Sequence, residues 1–244
     1  SLEKKDLDLT NLELTKRFLK ELNPDWIINC AAYTNVDQSE NSKEMAFIIN
    51  SVIPKNLSLF LKESKGKLIQ ISTDYVFSGK ENKPYEVNFK RSPINYYGFS
   101  KLQGEINIEN ILNDNKYFII RTSWLMGSRG DNFLTKILKL HSSQKELNVV
   151  SDQTGCYTCA DELSKFCWFI LNNEKFFNNN LNKIHFTNSG ITSWYNIAFE
   201  IGEIAYDIGY LKRKAIVNPV LSENFKSLAK RPYYSVLDTS ESCS

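Results

Sequence analysis

The chain has 244 residues, of which 42% are hydrophobic and 24% charged, and this suits one large α/β domain or a domain with a small appendage. Its formal net charge of +2 is too small to indicate a nucleic-acid or membrane surface. No apolar run approaches the roughly 18 residues of a membrane-spanning helix, and the charged first residues resemble no signal peptide.

The first half of the chain alternates apolar strands with amphipathic helices. Strands are predicted at Trp26–Ala32, Lys67–Thr73 and Tyr117–Arg121. Helices are predicted at Leu12–Leu22, at about 40–65 with a restart near Pro54, and at about Asn95–Asn113. Nearly continuous apolar strands that alternate with helices predict a parallel sheet covered by helices on both faces.

The elements become shorter after about residue 145. Strands are predicted at Leu147–Val150 and Lys183–Thr187, and helices at Ala160–Leu171 and about Ser193–Ile208. The asparagine-rich stretch Asn172–Asn182 is predicted to be a surface loop. We expect residues 1–145 to form the core domain and residues 146–244 to form mainly a smaller lobe packed against the sheet.

The cysteines do not indicate a metal site. Cys156 and Cys159 form a C-x-x-C pair, but zinc would need a second pair or nearby histidines, and the chain has only His141 and His185. We therefore predict no metal and expect free thiols in the reducing cytoplasm.

The stretch NYYGFSK raises the question of which tyrosine is chemically active. Tyr97 and Lys101 are four residues apart and share one face of a helix, whereas Tyr96 points elsewhere. The spacing alone is weak evidence, because a lysine-rich chain with 12 tyrosines contains about one such pair by chance. A second pair, Tyr210 and Lys214, is predicted to lie in a solvated basic run at a helix end.

The positions of the strand ends favour Tyr97 over Tyr210. Ligands of open α/β sheets bind beyond the carboxyl ends of the strands. The first strand ends in residues 31–34, which include two alanines, Thr73 ends the second strand, and Trp124 follows the third. Because the helix of Tyr97 and Lys101 joins the last two strands, a hydroxyl, a phenol, an ammonium group and an indole are expected to converge there.

These groups are suited to the reduction of a carbonyl. A free phenol has a pKa of about 10, and a nearby lysine cation is expected to lower that of Tyr97 towards neutral pH. The Thr73 hydroxyl can hold the same substrate oxygen. The hydride must come from a nicotinamide, because no side chain carries one.

Six longer sequence words identify a resemblance. They span about residues 6–238 and read NCAAYTNVDQSE, ISTDYVFSG, SPINYYGFSKLQGE, RTSWLMGSRGDNF, VVSDQTG and TSWYNIA. The chain resembles the extended short-chain dehydrogenase/reductase superfamily and, within it, the dTDP-4-dehydrorhamnose reductases. The resemblance implies a Rossmann-like parallel sheet, a smaller C-terminal substrate lobe, and NADPH- or NADH-dependent reduction of a dTDP-sugar ketone to dTDP-L-rhamnose. A homodimer is compatible with it.

The resemblance also assigns roles to residues of this chain. The catalytic positions of the family fall on Thr73, Tyr97 and Lys101. Its cofactor contacts fall on Asp8, Leu9, Ala31, Ala32, Tyr33 and Ile71, together with Tyr97 and Lys101. Its substrate contacts fall on Thr73, Asp74 and Trp124, and the matching words add Asn132, Gln153 and Arg231 as contacts of the nucleotide or phosphates.

Simpler readings of several of these residues stay open. Trp124 can be a core aromatic residue, Asp74 a turn cap, and Gln153 part of a plain turn before Gly155. The two alanines at 31 and 32 can reflect tight packing alone.

The main departure from the family concerns the cofactor pyrophosphate. The family holds it on a glycine-rich turn at the start of the first helix, and no G-x-x-G-x-x-G stands in this sequence. We therefore expect the N-terminal glycine-rich βαβ unit to be absent from the 244-residue chain, which then binds NADPH weakly and can be inactive, whereas a full-length protein with such a unit consumes NADPH.

Two other functions remain to be weighed. Epimerases and dehydratases of the same superfamily share the scaffold, but the dehydratases place an acidic residue after the Thr-Asp pair, where this chain has Tyr75. A non-catalytic regulatory protein, such as the β subunit of methionine adenosyltransferase, resembles the family too. The missing glycine-rich turn favours the regulatory reading, and the joint presence of Thr73, Tyr97 and Lys101 opposes it.

Overall fold

The computed structural model describes residues 6–173 and 181–243. The helices are α1 Leu12–Leu22, α2 Val36–Asn41, α3 Lys43–Phe47, α4 Ile53–Glu63, α5 Tyr96–Ile111, α6 Phe133–Ser143, α7 Ala160–Leu171, α8 Trp194–Asp207 and α9 Ser240–Cys243. The strands are β1 Trp26–Asn29, β2 Lys67–Thr73, β3 Tyr117–Thr122, β4 Leu125–Met126, β5 Glu146–Val150, β6 Thr154–Gly155, β7 Thr158–Cys159, β8 Lys183–His185, β9 Thr192–Ser193 and β10 Ile216–Val220.

The main sheet confirms the predicted parallel architecture. Its strand order within the described residues is β1-β2-β3-β8, and each neighbouring pair is parallel. Successive side chains of a strand point to opposite faces. Leu68 and Ile119 therefore pack with α1, α4 and α5 on one face, whereas Ile69 and Ile120 pack with α7 on the other. No helix in the described part of the chain has the length and apolarity to cross a membrane.

The first strand is shorter than predicted. Its ladder with β2 ends at the pair Asn29 and Gln70, so that residues 30–32 lie beyond the strand. The Asn29 side chain donates to the Gln70 side chain over 2.8 Å and accepts from the Ala31 backbone nitrogen over 3.1 Å. This local hydrogen bond redirects the backbone where the sequence predicts three more strand residues.

The helix predicted at 40–65 consists of several shorter pieces. The Asn35 side chain caps α2 by accepting from the Gln38 nitrogen over 3.0 Å, so that helical structure begins earlier than predicted. A π-helical turn at Ile48–Val52 joins α3 to α4. The predicted restart near Pro54 is confirmed, because α4 carries this proline in its first turn, where no backbone donor is needed.

The structure corrects the placement of β8 and α7, which were both predicted in the smaller lobe and lie on the main sheet. Strand β8 was predicted in the smaller lobe, but it pairs with β3, and Ile184 packs with Ile170 of α7 on the main sheet. The apolar residues on both faces of β3 favour this burial. The wider division near residue 145 stays a prediction. Of the predicted asparagine-rich loop, residues 174–180 lie outside the described residues.

A second apolar cluster forms around the parallel pair of β5 and β10. Leu147 and Val149 of β5 pack there against Ile137 of α6 and Ala198 of α8. His141 joins these elements, because its Nε2 lies 2.9 Å from the Ala198 carbonyl oxygen and its Nδ1 accepts from the Ala215 nitrogen over 3.1 Å. The sequence analysis missed β10, which contains a proline and follows a basic run.

Candidate active site

The beginning of α5 lies very close to the turn that follows β2. The Asn95 side chain caps α5 by accepting from the Gly98 nitrogen over 2.8 Å. A Cβ atom at Gly98 would lie only 2.1 Å from the Tyr75 carbonyl oxygen. Only glycine permits this approach, which brings Tyr97 to the carboxyl end of β2.

Tyr97 and Thr73 are brought together as the sequence predicts. The Thr73 hydroxyl lies close enough to the Tyr97 hydroxyl to favour its ionised form. The Thr73 hydroxyl donates to Asp74 Oδ1 over 2.9 Å. The Tyr75 ring meets the Tyr97 ring edge-on, with 5.6 Å between centroids. The end of β2, the turn after it and the beginning of α5 therefore bring together four oxygen-bearing side chains.

The predicted effect of Lys101 on the phenol is wrong for this structure. Burial of the Tyr97 hydroxyl raises its pKa, and the neighbouring Asp74 and Tyr75 raise it further against the Thr73 hydrogen bond. The Lys101 ammonium group instead donates to the Ile71 carbonyl oxygen over 2.7 Å. Burial lowers the Lys101 pKa to about 8, although the Glu105 carboxylate opposes that change.

A buried ion-pair network that no sequence pattern predicted supports α5. Glu105, one turn after Lys101, accepts from Arg121 Nε over 3.0 Å and from Arg121 Nη2 over 2.8 Å. It also accepts from the Ser72 hydroxyl over 2.5 Å and from Arg91 over 3.0 Å. The Glu105 pKa falls to about 2, because Arg121 and these hydrogen bonds outweigh burial. The network thus fixes α5 to β2 and β3 beside the candidate site.

Asp74 is a buried carboxyl group with no cation beside it among its contacts. It is 3% exposed, and its Oδ2 makes no hydrogen bond of normal geometry within the described residues. Burial raises the Asp74 pKa to about 7, although the hydroxyls of Thr73 and Ser235 oppose the change. The residue that caps the turn after β2 is Thr73, whose hydroxyl accepts from the Tyr75 nitrogen over 3.2 Å.

Trp124 stands at the end of β3 in an uncommon backbone conformation, with φ of 46°. Its ring stacks on that of Trp194 with 4.0 Å between centroids. A Cβ atom at Gly155 would lie 2.7 Å from this ring and 2.8 Å from the Ser235 hydroxyl oxygen. Since Ser235 contacts Asp74, the indole lies in the same neighbourhood as the catalytic side chains.

The residues expected to contact the cofactor occupy two places. Asn50 holds the segment after β1, because its side chain accepts from the Tyr33 nitrogen over 2.8 Å and donates to the Ser100 hydroxyl of α5 over 2.9 Å. The Asn56 side chain donates to the Leu9 carbonyl oxygen over 3.0 Å. Asp8 lines a cavity of about 510 Å³ together with residues of α1.

The donors present fit the nicotinamide–ribose half of a dinucleotide. The Tyr97 phenol and the Lys101 ammonium group lie on one helix, next to the Ile71 carbonyl oxygen. Ala31 and Ala32 present only methyl groups beyond β1, and Asn50 fixes the neighbouring backbone. A flat ring can therefore approach this edge of the sheet closely.

Three further predicted substrate contacts have other partners in the structure. Asn132 caps α6 and donates to the Gly127 carbonyl oxygen over 2.8 Å. Gln153 donates to the Ser222 hydroxyl over 3.0 Å. Arg231 donates to Asp37 over 3.0 Å, and it lies near the hydroxyl of Tyr75. Their contacts with a substrate stay predictions.

The two other tyrosines behave as predicted. The ring of Tyr96 lies 5.5 Å from the Lys43 ammonium group and turns away from Tyr97. Tyr210 is 70% exposed and follows the end of α8, while Lys214 pairs with Glu203. The second Tyr-x-x-x-Lys match is therefore a surface coincidence.

The sequence and the structure of this chain are similar to those of known proteins. A protein from Bacillus subtilis, the spore coat polysaccharide biosynthesis protein SpsK, is 35% identical over 97% of this chain and 79% of its own length. The dTDP-4-dehydrorhamnose reductase of Aggregatibacter actinomycetemcomitans is 32% identical over 98% of this chain and 81% of its own. The crystal structure of dTDP-4-dehydrorhamnose reductase from Bacillus anthracis in complex with NADP superposes with a TM-score of 0.88 at 36% identity, over 98% of this chain and 81% of that one.

A family model covers almost the whole chain. The RmlD substrate binding domain matches residues 1–243. Together with relatives above 30% identity, this match shows that the chain belongs to the RmlD substrate binding domain family.

Proposed function

We propose that this protein reduces the 4-keto group of dTDP-4-dehydro-L-rhamnose to the alcohol of dTDP-L-rhamnose, with NADPH or NADH as the hydride donor. Family membership supports the proposal, as does the activity named for relatives at 32% identity. The observation that carries it is the position of the Tyr97 phenol beside Thr73, the last residue of β2. Tyr97 lies on the helix that also bears Lys101. Such a set serves proton transfer to a carbonyl oxygen.

Each of the three side chains has a distinct task. Tyr97 stays protonated at neutral pH because burial raises its pKa, and it is therefore the acid that protonates the carbonyl oxygen. The Thr73 hydroxyl adjoins the phenol and orients the same oxygen. Lys101, fixed to the Ile71 carbonyl oxygen, orients the cofactor ribose. The bound nicotinamide supplies the hydride.

The substrate is proposed to lie between the catalytic helix and Trp124. The indole is held flat by its stacking on Trp194 and is partly exposed, so its ring can pack against a sugar. Asp74, Asn132, Gln153 and Arg231 are proposed as contacts of the sugar or nucleotide. The homodimer and the cytoplasmic location also stay predictions, and light scattering after size-exclusion chromatography tests the first.

The test is consumption of NADPH, followed at 340 nm, by the protein with dTDP-4-dehydro-L-rhamnose. Tyr97→Phe should lower kcat by about 100-fold or more, because it removes the proton donor. Tyr96→Phe is the matched control and should retain activity, since its ring turns towards Lys43. An unchanged rate in Tyr97→Phe would refute the mechanism. Epimerised product without net consumption of NADPH, or no turnover at all, would refute the proposed reductase.

A further inference from the structure

We propose that Asp74 is the internal proton donor that recharges Tyr97, and that the Thr73 hydroxyl carries the proton between them. The inference rests on the proposed reductase function and adds a step to it. It starts from a carboxyl group that reduction of a ketone with a tyrosine acid does not by itself require.

The geometry provides a continuous path. Thr73 Oγ1 lies beside the Tyr97 phenol on one side and 2.9 Å from Asp74 Oδ1 on the other. Thr73 donates to the Asp74 carboxylate, and when Asp74 is protonated the carboxylic acid donates to Thr73 instead, which frees the Thr73 proton for Tyr97. Thr73 is 5% exposed and Asp74 3% exposed. Because solvent is excluded from both, the hydroxyl of Thr73 is the direct link between the phenol and a second acid.

The surroundings of Asp74 favour its protonated form. The titratable groups that face it are Tyr75 in its own turn, Tyr97 of α5 and Cys156 after β6, and all three are neutral near pH 7. The Ser235 hydroxyl faces it from the C-terminal part of the chain, and the nearby Arg231 guanidinium bonds Asp37 and lies close to the Tyr75 hydroxyl.

A carboxylate in such surroundings lacks a compensating positive charge, and burial therefore favours the neutral acid. Consistent with this, the Asp74 pKa is raised to about 7. Near neutral pH the group can thus both hold a proton and release one, which a surface carboxyl group cannot do.

The proposed step balances as a relay of one proton. When a hydride adds to the carbonyl carbon, the π electrons move to the oxygen, which takes the proton of the Tyr97 phenol. The phenolate oxygen takes the proton of the Thr73 hydroxyl, and Thr73 Oγ1 takes the proton of the Asp74 carboxylic acid. Tyr97 and Thr73 end unchanged, and Asp74 ends as a carboxylate. After the product leaves, water enters the vacated site and returns one proton to Asp74 along the same path, through Tyr97 and Thr73.

The relay makes a specific prediction about pH. The reduction of the wild-type protein should slow as Asp74 loses its proton above about pH 7. In Asp74→Asn, kcat should fall about 10-fold or more. The alkaline decline that remains should move towards pH 8, where Lys101 titrates.

Substitutions of Thr73 test the path itself. Thr73→Ser keeps a hydroxyl and should keep the decline near pH 7, whereas Thr73→Val should lose it together with most of the rate. Asp161→Asn, an exposed carboxyl group on α7, is the control and should behave as wild type. A decline near pH 7 that persists in Asp74→Asn would overturn the relay, as would a change confined to KM.

Infrared spectroscopy gives a readout that does not depend on turnover. At pH 6 the protein should show the carbonyl stretch of a buried carboxylic acid, and Asp74→Asn should lack it. Absence of that band in the wild type would overturn the proposal. If the wild type consumes NADPH and Tyr97→Phe does not, but the relay tests fail, only the relay is refuted.

Discussion

The ammonium group of Lys101 illustrates how a residue proposed to serve catalysis can oppose stability. It is 5% exposed, and the folded chain lowers its pKa from 10.5 to about 8. Below pH 8 the group is charged in both the folded and unfolded states, and the folded state bears the cost of burying it. As pH rises from 8 to 10.5 the unfolded state holds more protons, so this cost disappears and stability rises.

We therefore expect Lys101→Met to raise the free energy of unfolding at pH 7 by about 1 kcal/mol, a fraction of what the lowered pKa allows, because the Ile71 carbonyl oxygen loses its donor. Urea denaturation at pH 7 and pH 9.5 measures this. The gain should shrink at the higher pH. A variant less stable than the wild type at both values would show that the hydrogen bond to Ile71 outweighs the buried charge.

At the scale of single residues, the sequence predicted which side chains form the candidate site better than it predicted their burial and pKa values. The i, i+4 spacing and the strand ends were enough to select Tyr97, Lys101 and Thr73 as a group, and the structure places Tyr97 beside Thr73. The predicted direction of the Tyr97 pKa shift was wrong, because the i, i+4 spacing does not show how deeply the phenol is buried. The pairing of Glu105 with Arg121 joins a helix to a strand 16 residues later, and no local pattern announces it.

At the scale of elements, α5 depends on its close contact with the turn after β2. In Gly98→Ala the new methyl group would lie 2.1 Å from the Tyr75 carbonyl oxygen, which is backbone and cannot rotate away. We expect a loss of about 1–3 kcal/mol in unfolding free energy and a larger fall in kcat, because the beginning of α5 must move away from Thr73.

Thermal denaturation and the NADPH assay together measure the effect of Gly98→Ala. Asn110→Ala is the control, since this residue is exposed on the same helix and alanine favours the helical conformation. Wild-type activity in Gly98→Ala would show that the close contact does not position Tyr97.

The network around Glu105 gives a second prediction for this helix. Glu105→Gln should destabilise the protein by about 3–5 kcal/mol, because Arg121 is left buried without its counter-charge. The double variant Glu105→Gln with Arg121→Met should recover part of that loss. Equal stabilities of the single and double variants would contradict this account.

The sign of the pH dependence follows from the lowered pKa of Glu105. The folded value is about 2 against 4.5 for the free group, so its contribution is present above pH 4.5 and is lost as pH falls towards 2. The melting temperature of the wild type should therefore fall more steeply over this range than that of Glu105→Gln.

Elements with strong periodicity were predicted well, and their assembly less so. Helices α1 and α7 and strand β2 have the predicted bounds, because apolar spacing and turn residues define them locally. The placement of β8 beside β3 depends on long-range pairing. The prediction grouped elements by their order along the chain and therefore assigned β8 to the smaller lobe. Strand β10 was not predicted, because it contains Pro219 and proline is uncommon within strands.

At the scale of the whole molecule, the C-terminal crossing segment, residues 225–235, joins distant parts of the chain. Asp37 of α2 accepts from the Ser227 hydroxyl over 2.6 Å, from the Ala229 nitrogen over 3.1 Å and from Arg231 over 3.0 Å. The Asn95 side chain, which caps α5, donates to the Lys230 carbonyl oxygen over 2.8 Å. The segment thereby ties α2 to the beginning of the catalytic helix.

We expect Asp37→Ala to loosen this segment with little effect on the core. Each surface contact is weak alone, but three of them end on one carboxylate. Limited trypsin digestion should cleave after Lys226 or Lys230 several-fold faster than in the wild type, and mass spectrometry identifies the fragments. Glu162→Ala, which removes an exposed ion pair with Lys165, is the control. Unchanged cleavage at these sites would show that Asp37 does not hold the segment.

The π-helical turn at Ile48–Val52 limits how this protein can change its length. Asn50 lies in that turn and reaches both Tyr33 and Ser100. Deleting one residue there would restore ordinary α-helical winding and keep the flanking helices in register, but it would turn the side chains within the former π-helical turn by up to about 100°. Asn50 could then no longer bond both Tyr33 and Ser100. The loss of one codon at this point would therefore disrupt the proposed ribose-binding part of the site without altering Thr73, Tyr97 or Lys101.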